Sequence, residues 1–483
     1  MPGITHLPID TYGFGFIVLI VGNMKVFERL FLLVIFSILF INVTFINADN
    51  SWIASYTDNI GSYKVDVAVA MVVDTKGNIY VTGNGYAQDT SSDIMTIKYD
   101  KSGNVKWIQK YSGLANLSDY ASDITLDKSG NIYVSGTSYL SAYECDIVVI
   151  KYNSSGKVIW TTKYHKLEYG NNLCEAKKII VDNLGNIYVA GIISSSGTTH
   201  DYLTIKYNSF GFEEWVQTYN GTGNDDDQVV GMVKDTANNI YVTGYSIGKN
   251  TGCDIATIKY DNQGNQKWVS RYNSNPNVLN VEDVATGIDI DNQANLYITG
   301  HDKTYLGKDF LTLKIDSSGK VKWAAKYQGN GGGDDIATAI AVDDIGNSYI
   351  TGYAYNLWSN YDYTTIKYNT SGEMLWTRIY NGTGNYQDFA NSIALDNQGG
   401  VYITGKSYSG TKSYGSDSLF NIVTQKYSIN GDSIWTARYS ANRSNNGILV
   451  KTDMKDNVYV LGYINPTNAI SSYVLIKYAQ RRY

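Results

Sequence analysis

Proline and cysteine are nearly missing from this chain, with 4 and 3 among 483 residues. An odd cysteine count excludes a fold held by a full disulfide framework. Cys145, Cys174 and Cys253 also stand at no zinc-ligand spacing from a histidine. A Cys145–Cys174 bridge between neighbouring units is geometrically open in an oxidising compartment, and three free thiols are the alternative. Clustered basic charge is lacking too. The formal charge is -6, which leaves nothing to meet a phosphate backbone and excludes nucleic acid as a partner. Helix-period segments scarcely occur beyond the N-terminus, so the chain reads as all-β. No nucleophile elbow or metal motif accompanies the four histidines, His6, His165, His200 and His301, the last three placed in loops of different units. No catalytic residue is assigned on these grounds.

What is present is aromatic and periodic. With 43% hydrophobic and 13% aromatic residues the chain can bury a large core, and disorder is excluded. A strand-like phrase ending in Gly places Tyr at 80, 133, 188, 241, 297, 349, 402 and 459. A second phrase places Lys at 98, 151, 206, 259, 314, 367, 426 and 477. A third supplies Trp107, Trp160, Trp215, Trp268, Trp323, Trp376 and Trp435, each followed four residues later by Tyr. Trp52 with Tyr56 precedes the first full unit, while the last unit has no Trp strand after Lys477-Tyr478. The chain therefore begins with the piece its end lacks.

Unit six reads as strands at Ile336–Val342, Asn347–Thr351, Tyr363–Tyr368 and Leu375–Tyr380, joined by compact turns with Gly where a positive φ is expected. Tight turns force antiparallel neighbours, and four such strands in about 40 to 57 residues have the size of a propeller blade. Small residues in the first strand (Ala337, Ala339, Ala341) suit a crowded axis, and the Trp strand suits the rim. The expectation is a closed β-propeller of eight four-stranded antiparallel blades, the eighth completed by Trp52–Tyr56, with seven blades as the alternative.

The units, with a strand-one Asp, then Gly77-Asn-Ile-Tyr-Val-Thr-Gly83, and joins such as Tyr219-Asn-Gly-Thr-Gly223, resemble the bacterial SBBP β-propeller repeats over about residues 51 to 478. That resemblance implies a propeller, in a family made up largely of exported proteins without a defined activity. The Asp100-x-x-Gly103-x-x-x-Trp107 phrase is similar to the Trp docking repeat of eight-bladed quinoprotein dehydrogenases. An enzyme with a site at the propeller mouth is therefore one alternative, and a structural surface-layer component another.

Residues 1–48 form a separate segment. The mainly apolar run Leu30 to Ile46 follows Lys25 and Arg29, as in a secretory signal starting at Met24 and cleaved after Ala48. A retained membrane anchor is the rival reading, since a span takes about 20 residues. Either way, residues 49–483, the propeller domain, are expected outside the cytoplasm, extracellular or at the cell surface, and meet a membrane only through this segment.

The recurring Asp at 74, 127, 182, 235, 291, 343, 396 and 453 is read as turn chemistry rather than as a calcium site. The Asp opening the third strand (Asp93, Asp146, Asp201, Asp254, Asp309, Asp362) is read as loop capping. Asp225-Asp226-Asp227 is the best local metal candidate, with a solvated loop as the stronger reading, so no cofactor is expected and calcium is left open. Function should lie where the units differ, in the loops between second and third strands. These hold Tyr139, Tyr143, Tyr305, Tyr353, Tyr355, Trp358, Tyr361, Tyr408 and Tyr414. Flat aromatics beside Asn and Ser suit a protein hot spot or glycan stacking. The sequence thus points to an exported, non-enzymatic binding protein for a protein or glycan ligand.

Overall fold

The computed structural model describes residues 42–45, 51–56, 64–86, 91–165, 173–195, 198–279, 281–304, 307–410, 419–441, 444–465 and 470–479, all within one compact unit, Leu39–Tyr483. Tyr305, Tyr414 and nearly all of segment 1–48 lie outside these residues. Asn42–Phe45 is the exception, a strand pairing antiparallel with Trp52–Tyr56. Among the described residues no helix is long and apolar enough to cross a membrane.

Each of the first seven repeats folds into a four-stranded antiparallel meander in chain order. In unit six the strands are Ile336–Val342, Ser348–Asn356, Asn360–Tyr368 and Met374–Tyr380. The first lies where the sequence placed it. The second and third run further, because the ladder continues past Gly352 through Tyr353↔Tyr363, Ala354↔Asp362, Tyr355↔Tyr361 and Asn356↔Asn360. Gly352 permits this close packing, since a Cβ there would lie 2.1 Å from the Ile336 carbonyl oxygen.

The turn between the first two strands shows why the recurring Asp is there. Asp343 Oδ1 accepts the N–H groups of Ile345 and Asn347, while Oδ2 accepts the Asn347 side chain at 2.7 Å and the Tyr349 hydroxyl at 3.1 Å. One carboxylate therefore caps the turn and anchors the Tyr of the first phrase. The Lys of the second phrase lies over that ring, with Lys367 Nζ 4.8 Å from the Tyr349 centroid, and donates to the Ile429 carbonyl of the next unit. Trp376 Nε1 donates to the same carbonyl at 3.1 Å. Its counterpart Trp323 packs on Gly372 of the following unit, at φ +85, where a Cβ would lie 2.7 Å from the indole. The repeated Tyr, Lys and Trp are thus joints between sheets.

First strands of neighbouring units are also stitched together. Each carries a one-residue bulge, and at that position Thr286 donates to the Ala337 carbonyl, Thr338 to that of Ala390, and Asn391 to that of Gly447. Hydrophobic clusters fill the spaces between adjacent sheets.

Trp52–Tyr56 pairs antiparallel with Ile470–Tyr478, from Trp52↔Lys477 to Tyr56↔Tyr473. It takes the fourth-strand place in the last sheet. Trp52 Nε1 donates to the Lys101 carbonyl of unit one, 3.0 Å away, and packs on Gly103, as the other repeat Trp residues do on the units that follow them. One cluster (Trp52, Tyr56, Met71, Met95, Tyr459, Tyr473) joins the last sheet to the first. Cys145 and Cys174 are joined by a disulfide between units two and three, with Cα atoms 5.9 Å apart. Cys253 is free.

Candidate functional site

Among the described residues, the hairpin between second and third strands of unit six carries the most exposed aromatic side chain. Because pairing runs to Asn356↔Asn360, only Leu357, Trp358 and Ser359 form its tip, with Asn360 at φ 71. Asn356 Oδ1 accepts the Trp358 N–H at 3.1 Å. Beneath the tip, Asp362 Oδ2 accepts the Ser359 hydroxyl at 2.6 Å and the Asn356 amide at 3.2 Å. These bonds fix the turn and leave Leu357 and Trp358 pointing outward, Trp358 at 88% exposure.

The tip stands on a packed aromatic layer. Tyr353 meets Tyr361 at 5.4 Å and Phe389 of unit seven at 4.8 Å, both edge-on, and Tyr361 also meets Tyr355 at 5.5 Å. Phe389 continues to Phe420, which contacts Tyr408, which in turn contacts the exposed Tyr386. Lys406 Nζ sits 4.7 Å from the Phe389 centroid and 5.0 Å from that of Phe420. Burial lowers the pKa of this lysine, and the two ring faces take over part of the solvation it loses.

The structure thus brings together Tyr353, Tyr355, Tyr361 and, through Phe389 and Phe420, Tyr408, with Trp358 on the hairpin above. It does not make them alike. Tyr353 and Tyr355 lie in the second strand and Tyr361 in the third. Tyr355 is wedged against Gly331 and Gly333. Tyr408, at 4% exposure, is a core residue. These corrections share one cause, the hairpin ladder that runs further than the turn signals suggest. Tyr139 ends the second strand of unit two and packs edge-on against Tyr120, while Tyr143 is exposed in the loop that follows.

Phe389, Phe420, Tyr386 and Lys406 were not legible as site residues. Their only sequence signal is that the residue after the strand-one Asp388 is a large aromatic. The acids that open first strands were also missed. Asp119 and Asp227 accept the N–H groups of Gly113 and Gly221 at 2.6 Å, and Asp335 and Asp388 do the same for Gly329 and Gly382. Each closes the glycine-rich join from the preceding unit, and the signal is an Asp six residues after a Gly. Burial and the nearby Asp362 carboxylate push Asp388 up to about 6, against hydrogen bonds from Ser407, Gly382 and Tyr408.

Asp93, Asp146, Asp201, Asp254, Asp309 and Asp362, expected to cap loops, are all buried within the ladder, and Asp254 and Asp362 do accept from their hairpin loops, from the Thr251 and Ser359 hydroxyls. His200 and His301 lie in strands rather than loops. Within Asp225-Asp226-Asp227, Asp226 accepts from His200 Nδ1 at 2.6 Å and from Gln228, and Asp227 is spent on Gly221. Among the described residues no three His, Cys, Asp or Glu are grouped to hold a metal ion.

Comparison with known proteins bears on the repeat. A WD repeat-containing protein of Acanthamoeba polyphaga mimivirus, itself uncharacterized, is 25% identical over 84% of this chain, which spans about a third (34%) of that relative's length. The WD40 domain of SCAP from fission yeast is 10% identical, with 89% of this chain and 99% of that one covered and a TM-score of 0.45. A protein of unknown function from Dyadobacter fermentans gives 9%, 87% and 96%, and 0.41. The beta-propeller repeat model SBBP matches residues 107–139 and 375–410, from the fourth strand of one unit to the end of the second strand of the next. The chain carries the SBBP beta-propeller repeat.

Proposed function

We propose that this chain is an exported, eight-bladed propeller, closed by Trp52–Tyr56, that binds a protein partner through the loop face of units six and seven. The observation that carries the reading is the Leu357-Trp358 tip. Trp358 is the one Trp of nine outside the repeat pattern, and it stands exposed on a layer whose rings are already packed. A rigid, solvent-facing Trp over a hydrophobic base has the character of an interface anchor. Glycan stacking is less well supported, because the neighbouring polar side chains Asn356 and Ser359 are engaged inside the hairpin. The signal-like N-terminus and the Cys145–Cys174 bond support export, since disulfides persist in oxidising compartments.

The test is affinity capture from the extracellular medium and cell surface with the intact protein and with Trp358→Ala. The substitution should weaken capture of its partner at least tenfold, about 1.4 kcal/mol or more, and leave the melting temperature unchanged. Glycan-array binding without a protein partner, or capture indifferent to Trp358, would replace this reading.

A further inference from the structure

In each complete unit the side chain heading the turn between third and fourth strands accepts the N–H groups two and four residues on, so equivalent places can be compared through their bonds. In unit three Asn208 Oδ1 accepts the Phe210 N–H at 3.0 Å and the Phe212 N–H at 3.1 Å. Phe210 thus holds the place of Ser102, Ser155, Gln263, Ser318, Ser371 and Asn430. Phe212 holds that of Asn104, Lys157, Asn265, Lys320, Glu373 and Asp432. In the turn between first and second strands Asp182 Oδ1 accepts the Leu184 N–H at 2.8 Å. Lys76, Ser129, Gln293, Gln398 and Lys455 stand in that place elsewhere, and only Ile345 of unit six matches Leu184 in size. Both turns are built by their caps, and the polar counterparts show that neither needs a large apolar side chain to form.

The two turns lie against each other. A Cβ on Gly185 would be 3.3 Å from the Ser209 Cβ, so the adjacent residues Leu184 and Phe210 stand at adjoining tips. Leu184 is 76% exposed, Phe210 74% and Phe212 70%. Three large apolar side chains held out on capped turns, at places that are polar in most other units, mark a surface made for contact. The charge beside it is distinctive as well. Glu213 and Glu214 follow Phe212 and are both exposed, whereas the corresponding pairs in units one, four and five end in Lys106, Lys267 and Lys322. Among the seven fourth strands, only that of unit three opens with acids. Lys206 Nζ meets Glu214 at 2.8 Å, and Glu213 has no ion pair among the described residues. Carboxylates at the rim of an apolar patch disfavour an anionic bilayer and favour a basic protein.

We propose that this end of unit three docks a cationic amphipathic segment of a protein, its apolar face on Leu184, Phe210 and Phe212 and its Lys or Arg side chains against Glu213 and Glu214. The surface is separate from the Trp358 hairpin, which belongs to another unit and to the opposite ends of the strands, so the two readings stand or fall independently. The test is calorimetric titration of the intact protein with a synthetic amphipathic peptide of leucine and lysine, using its leucine and glutamate counterpart as control. Saturable binding is expected for the cationic peptide alone, and it should weaken as salt is raised. The double variant Phe210→Ser, Phe212→Asn carries the residues of unit one, so it should keep the parent melting temperature and lose at least tenfold in affinity. Glu213→Lys should also weaken binding, and Trp358→Ala should leave it intact. No saturable binding to the native protein, equal binding of both peptides, or binding unchanged in the folded double variant would overturn the proposal. Recruitment of the native protein, but not of the double variant, to phosphatidylserine vesicles would overturn it too, in favour of a bilayer as the occupant.

Discussion

At the scale of single residues, the same amino acid does two jobs separated by its surroundings. Asp343 sits in a turn and is surrounded by donors from its own few residues. Asp388 is buried where two sheets meet and feels Asp362 from the neighbouring unit, which places its pKa at about 6. A carboxyl whose folded pKa is raised above its unfolded value near 4 contributes most at low pH and loses that contribution as pH rises through the folded value. The stability difference between Asp388→Asn and the native protein should therefore grow in favour of the variant from pH 4 to 7, by up to about 2 to 3 kcal/mol, and level off above. Denaturant titrations of both proteins at stepped pH check this, and a difference independent of pH would show that Asp388 is not held protonated. The contrast also explains what could be read in advance. The role of Asp343 follows from neighbours in sequence and was legible. The raised pKa of Asp388 depends on burial and on a carboxylate of a different unit and was not.

At the scale of elements, the hairpins were predicted one strand at a time, and their ends were where the reading fell short. Gly352 looked like a strand terminus, yet the ladder crosses it to Asn356↔Asn360. Tyr353, Tyr355 and Tyr361 consequently moved from loop to strand, and only Trp358 and Tyr143 of the described aromatic candidates remained fully outside one. The turns themselves were read correctly, because an Asp four residues before the strand-opening Asn carries its own mechanism. Asp343→Ala removes acceptors from two N–H groups, an amide and the Tyr349 hydroxyl. It should destabilise the protein by about 1 to 3 kcal/mol, read as a lower denaturant midpoint with an unchanged slope. A change of less than about 0.5 kcal/mol would mean that solvent replaces these bonds without cost.

At the scale of the whole molecule, the repeat count and the offset of Trp52 were enough to anticipate that Trp52–Tyr56 belongs to the last sheet, and the pairing Trp52↔Lys477 bears this out. The aromatic layer of units six and seven was not visible at this scale, since it depends on which variable residues two adjacent sheets present to each other. Trp52, Ala54 and Tyr56 are buried in the cluster between the last and first sheets. At about 1.5 to 3 kcal/mol for each large apolar side chain, deletion of Ser51–Tyr56 should lower stability by several kcal/mol. It should also raise hydrogen exchange chiefly in 444–478 and 67–111. A deletion variant as stable as the parent would show that the strand is dispensable.

That same pairing imposes an order of events on the growing chain. Residues 52–56 leave the ribosome early but find their partner strand only when residues near 477 have followed. Contacts so distant in sequence are slow to form. Until they do, Ile470–Tyr478 stands as an unprotected edge, the kind of edge on which separate copies can pair. The pairing that completes the last sheet is therefore also the step at which two unfinished molecules are most exposed to exchanging the strand at 52–56.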